Sequence, residues 1–166
     1  MNVEFTRILV PVDFSAESDR AVGYAVALAK KVAGAVELLH VVEDPIASGA
    51  WGAEAYTSYV PDLLDELVAN ATLRLGLVKA GCDQSVAIQT RVVIGSPART
   101  IVAIAEVERC DLIVMGTHGR SGLSHVLLGS VAERVLRTAP CPVLTLRAEK
   151  TPAETKTAAA VEAVAS

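Results

Sequence analysis

Residues 116–130 read Gly-Thr-His-Gly-Arg-Ser-Gly-Leu-Ser-His-Val-Leu-Leu-Gly-Ser, a glycine-rich segment with the spacing G-x2-G-x9-G-S. It follows the apolar run Asp-Leu-Ile-Val-Met and precedes a helix-forming stretch. Glycines at a strand end let the backbone approach a ligand closely, and consecutive exposed N–H groups can cradle an anion. The start of the following helix adds partial positive charge at Gly129 and Ser130. Arg120 adds a full charge, and Ser121 and Ser130 add hydroxyl donors. The chemistry on offer is phosphate binding. The same local pattern also suits a tight turn with helix capping.

A second polar position follows the first apolar run, which ends Pro11-Val12-Asp13-Phe14-Ser15. The Asp13 carboxylate can accept hydrogen bonds from a ligand, or can orient the loop and cap the next helix. No two glycines are separated by one residue and no glycine precedes a lysine. The dinucleotide fingerprint and the Walker A loop are therefore absent. His40 sits in an expected buried strand and reads as a satisfied core histidine. His118 suits a phosphate contact or turn packing equally, and His125 reads as a surface residue or one facing a second subunit. Trp51, Tyr56 and Tyr59 can cover a ligand or anchor their own loop.

These positions need a scaffold, and the apolar patterning supplies one. Short β-branched runs at 7–12, 35–42, 86–93, 111–115 and 142–146 predict five strands. Helices are expected between them. Ser15 opens the first and Gly34 stops it; Pro61 opens the second, which ends near Gly81. Ser96 and Pro97 open the third, and the fourth follows Gly129. In the second helix Leu64, Leu67, Val68, Ala71, Leu75 and Val78 form the buried face. Gln89 and Arg91 alternate with apolar residues, as on a half-exposed edge strand. Strands alternating with helices predict an α/β domain with a parallel sheet. Ligands of such sheets bind at the carboxyl ends of the strands, where the strand order reverses. Residues 43–58 form a long polar loop, and long loops in compact domains often bind or cover ligands.

Composition narrows the classes further. The chain has 166 residues, enough for one domain, with 52% hydrophobic and 20% charged residues and a net charge of -4. An acidic balance argues against a nucleic-acid surface, and 4% aromatic content argues against base-stacking platforms. No run is long and apolar enough for a membrane helix, and no secretory leader is visible, so a cytoplasmic protein is expected. Cys82, Cys110 and Cys141 show neither metal-ligand nor disulfide-framework spacing and read as reduced, packed thiols, Cys141 the most exposed. Residues 1–147 form the expected domain. Residues 148–166 are alanine-rich without an apolar face, as in a mobile tail.

Six segments together resemble the universal stress protein family over residues 5–147. They are Ile8-Leu9-Val10-Pro11-Val12-Asp13, Leu39-His40-Val41-Val42, Gly95-Ser96-Pro97-Ala98, Asp111 to Gly116, the G-x2-G-x9-G-S segment and Ala139-Pro140-Cys141-Pro142-Val143-Leu144. The resemblance implies an open five-stranded parallel sheet of order 3-2-1-4-5, with helices on both faces, and a homodimer joined through the last strand. The G-x2-G-x9-G-[ST] pattern marks the branch that binds ATP, expected with Mg2+ or Mn2+. By the same resemblance Pro11, Val12 and Asp13 lie by the nucleoside and backbone near Val41 holds adenine. Met115, Gly116, Gly119, Arg120, Gly129 and Ser130 line the remainder, the glycines and Ser130 at the phosphates.

The favoured function is a nucleotide-responsive stress or regulatory module with protein partners still to be identified. A slow ATPase or phosphotransferase ranks below it, because the chain offers no Walker lysine and no evident carboxylate pair beside the loop. An interaction protein with a vacant pocket ranks lower still, given the complete motif.

Overall fold

The computed structural model describes residues 5–43, 60–117 and 128–147. The elements are β1 (Arg7–Pro11), α1 (Ala16–Val32), β2 (Ala35–Glu43), α2 (Val60–Ala80) and β3 (Ala87–Gly95). They continue with α3 (Pro97–Val107), β4 (Leu112–Gly116), α4 (Ser130–Thr138) and β5 (Val143–Leu146). Every strand pairing is parallel and the order is β3-β2-β1-β4-β5, as the resemblance implied. The order reverses between β1 and β4, so the crevice for a ligand opens at their carboxyl ends.

Alternation along the strands divides the core in two. Ile8, Val10, Val36 and Leu38 face α1 and α2, with Ala21, Val22, Ala25 and Leu75 packed upon them. Leu9, Leu39, Ile113 and Met115 face α3 and α4, with Ile101, Ala105, Ala132 and Val135. Both faces of the central strands are buried, which explains their nearly continuous apolar runs.

Several local expectations change. β1 ends at Pro11, although the Val12 amide still donates to the Leu39 carbonyl at 2.8 Å. Gly34 does not take the left-handed position that ends α1. Ala33 does, at φ 53°, while the Gly34 amide donates to Ala29 at 2.9 Å. Glycine is needed at 34 for proximity: a Cβ there would lie 2.5 Å from the Phe5 carbonyl oxygen. Ser96 occupies the cap position of α3 but makes no side-chain cap bond. Pro97 follows it at the first turn, where its missing N–H costs nothing.

β3 is the half-exposed edge strand its alternation predicts, and Arg91 on it joins three elements. Its Nε lies 2.5 Å from Glu37 of β2 and its Nη2 lies 2.6 Å from Glu108, which caps α3. Cys110 is buried, while Cys82 and Cys141 are both intermediate, so Cys141 shares its partial exposure with Cys82. Burial pushes all three thiols up, Cys110 to about 11. Among the described residues no helix is long and apolar enough to cross a membrane. The expectations for the 43–58 loop beyond Glu43, and for the 148–166 tail, fall outside the described residues.

Candidate functional site

A cavity of about 660 Å³ opens at the carboxyl ends of β1, β2 and β4. Pro11, Val12 and Asp13 leave β1 into its floor, and Val41 enters from β2. Met115 and Gly116 end β4 on its wall, and Gly129 and Ser130 begin α4 there. These sequence-derived site residues therefore converge on one cavity. Gly119 and Arg120 fall outside the described residues, as do His118, Ser121, His125, Trp51, Tyr56 and Tyr59.

The β1 turn is a hydrogen-bonded relay. One Asp13 oxygen accepts from the Ser15 amide at 3.0 Å and from the Ser15 hydroxyl at 2.6 Å. The Ser15 hydroxyl oxygen then accepts from the Ser18 amide at 3.2 Å and caps α1. Asp13 thus orients the cap, as one reading of its position expected, and also lines the cavity.

The wall at α4 differs. Gly129 is the N-cap residue and offers no side-chain cap. Its φ of -69° and ψ of 151° are open to any residue, so backbone conformation does not require glycine there. Glycine instead leaves the helix start uncovered. Ser130, Val131 and Ala132, whose amides belong to the first turn, all border the cavity. First-turn amides have no acceptor within their own helix and carry the positive end of its dipole. A 2.7 Å bond from the Gly129 amide to the Thr117 carbonyl fastens α4 to the end of β4, and Thr117 itself is buried. The arrangement offers donors, without a competing carboxylate cap, to an anion.

The opposite wall went unread in the sequence. Phe14 adopts φ 63°, an uncommon conformation for a bulky residue. Its ring lies 4.5 Å from the His40 ring on one contact and 3.9 Å from the Arg74 guanidinium carbon on another. His40 is half-buried on the cavity wall and not in the core interior. Its Nδ1 lies 2.6 Å from the Val12 carbonyl, so Nδ1 carries the proton and donates. Leu67, assigned to the buried face of α2, is 43% exposed and borders the cavity with Asn70 and Arg74. The signal was present as helical spacing: 67, 70 and 74 share a face. The apolar periodicity drew attention to Leu67 and away from its polar neighbours. Among the described residues no group of three His, Cys, Asp or Glu side chains could hold a metal ion.

Comparison with known proteins agrees with this architecture. A family model described as the universal stress protein family matches residues 4–147. Universal stress protein MJ0531 of Methanocaldococcus jannaschii is 37% identical over 151 residues, covering 88% of this chain and 84% of that protein. The solved structure of hypothetical protein MJ0577, from the same organism, superposes with a TM-score of 0.80 at 30% identity. That match covers 90% of this chain and all of the other. A universal stress protein solved in complex with cAMP gives a TM-score of 0.57 at 25% identity, covering 86% of this chain and 97% of that one. With the family model spanning nearly all of the chain, and the strand order in accord, the chain belongs to the universal stress protein family.

Proposed function

We propose that this protein binds ATP in the cavity above β1 and β4 and acts as a nucleotide-responsive regulatory module of the cytoplasm. The observation that carries the reading is the glycine-capped start of α4 opening on the same cavity as Asp13 and Val41. The triphosphate sits at the first-turn amides of α4, with Gly116, Gly119 and Arg120 as further partners. The nucleoside lies toward Pro11, Val12, Asp13 and Val41. The complex of a related universal stress protein with cAMP supports a nucleotide as the class of ligand. A Mg2+ or Mn2+ ion accompanies the triphosphate, with Asp13 and Glu43 the carboxylates bordering the cavity. The expected assembly is a homodimer through β5.

Substitution of Gly129 tests the phosphate end by charge. Asn and Asp both cap helices, and Gly129 has dihedral angles open to either. Gly129→Asn and Gly129→Asp should both keep or slightly raise Tm. Gly129→Asp adds a negative charge where phosphate is to bind. Relative to Gly129→Asn, it should weaken ATP at least about tenfold while leaving adenosine nearly unchanged. Calorimetric titration measures both ligands. Equal ATP affinity in the two folded variants would refute phosphate binding at α4.

A further inference from the structure

The cavity has two walls of different character. α4 lies over one face of the sheet, with Ala132 and Val135 in that core. α2 lies over the other, with Leu75 in the opposite core. Arg74 comes from the α2 wall and borders the cavity. Among the described residues it enters no ion pair with a carboxylate; its contact is the Phe14 ring at 3.9 Å. Phe14 is in turn braced by His40, which donates to the Val12 carbonyl at the end of β1. A guanidinium is planar, so it can stack on an aromatic ring through each of its two faces. It also combines aromatic stacking with cation–π attraction, as Arg does beneath nucleobases.

We propose that Arg74 recognises the base end of the ligand, stacking on the nucleobase the guanidinium face turned away from Phe14. The proposal rests on the nucleotide reading above and adds to it a specificity-determining residue on α2. Arg74 stands on the α2 side of the cavity and the uncovered amides of α4 on the other, which favours the base end over the phosphates. Stacking also explains why the arginine is held over a ring, 3.9 Å from its centroid, and not by an acid. An anionic partner would compete with a phosphate but does nothing to orient a planar surface. The strained φ of Phe14 fits the same purpose, since the brace holds the ring where the guanidinium can lie upon it.

Arg74→Gln and Arg74→Lys separate the possibilities, with adenosine and ATP titrated against each and Tm checked for folding. Lysine keeps the charge but has no plane to stack. If Arg74 stacks on the base, both variants weaken adenosine and ATP by the same factor, about two- to fivefold. In the parent, the Arg74 side-chain resonances then move upfield on adenosine binding, as a ring current above the guanidinium requires. A loss confined to ATP and restored by Arg74→Lys would instead make Arg74 a phosphate ligand and overturn the proposal. Unchanged affinities for both ligands, with no movement of the Arg74 resonances, would overturn it too. A parent that binds neither ligand would overturn the nucleotide reading itself and this proposal with it.

Discussion

Ala33 ends α1 at φ 53° and ψ 34°, the left-handed conformation in which a Cβ crowds the following carbonyl. It is exposed, so nothing packs against that Cβ to compensate. Ala33→Gly should therefore stabilise the fold, by about 0.5–1 kcal/mol in urea unfolding at unchanged slope. Gly34→Ala must do the opposite, because the Phe5 carbonyl oxygen already occupies the space a Cβ needs. The pair shows what single residues disclose. A glycine after a helical run announced the end of α1 correctly, but the reason lay in a contact 29 positions earlier in the chain. Phe14 was illegible for the same reason. Its positive φ leaves no mark in the local sequence, and its ring partners His40 and Arg74 reach it from β2 and α2. Asp13, by contrast, was readable because its position after an apolar run and before a serine already implied a polar turn.

Elements are joined at their ends by charges whose pairing follows from topology. Lys30, in the last turn of α1, lies 2.6 Å from Asp83 in the turn before β3. The Lys30 ammonium holds the Asp83 carboxyl well below the usual carboxylate range, aided by the hydroxyl and amide of Ser85. A carboxyl whose folded pKa is depressed adds stability above its unfolded pKa and loses it as pH falls through the folded value. Asp83→Asn keeps an oxygen for Ser85 but removes the charge. Parent and variant should thus differ in Tm by a constant small amount from pH 6 to 8. The difference should shrink once pH drops below about 4 and vanish in stronger acid. Thermal scans across that range check it, and added salt should narrow the gap at neutral pH, since both groups are exposed.

The same scale explains which elements the sequence disclosed. Buried strands and amphipathic helices carry their period in neighbouring residues, so the nine elements of the described residues were legible, most of their bounds to within a residue or two. The face of Arg91 was legible but its partners were not, because alternation reports a face but not what comes to meet it. Glu37 and Glu108 meet it only after β2, β3 and α3 have assembled. The strand order, too, came from the resemblance and not from any periodicity, because parallel strands of similar composition do not announce their neighbours. The α4 wall of the cavity was legible because a motif marks it. The α2 wall was not, since Asn70 and Arg74 look like ordinary solvent-facing positions until the helix is seen to border the strand ends.

At the scale of the whole molecule, β5 closes one side of the sheet and, among the described residues, pairs with β4 alone. Its four residues are all half-buried, a degree of exposure that an apolar Val-Leu-Thr-Leu strand rarely keeps at an open edge. The carbonyls of Pro142 and Leu146 accept from Ile113 and Thr117 of β4 and its flank, at 3.0 and 2.9 Å. Backbone groups alternate sides along a strand, so those of Val143 and Thr145 point away from β4. Two copies meeting about a two-fold axis can pair through these groups and cover the apolar edge. Light scattering should accordingly give twice the chain mass at tens of micromolar concentration. Thr145→Pro removes one outward N–H while leaving the bonds to β4 in place. That variant should keep its circular dichroism and scatter as a monomer. A parent already monomeric at that concentration would rule out the β5 dimer. A dimeric Thr145→Pro would move the interface to another surface of the fold.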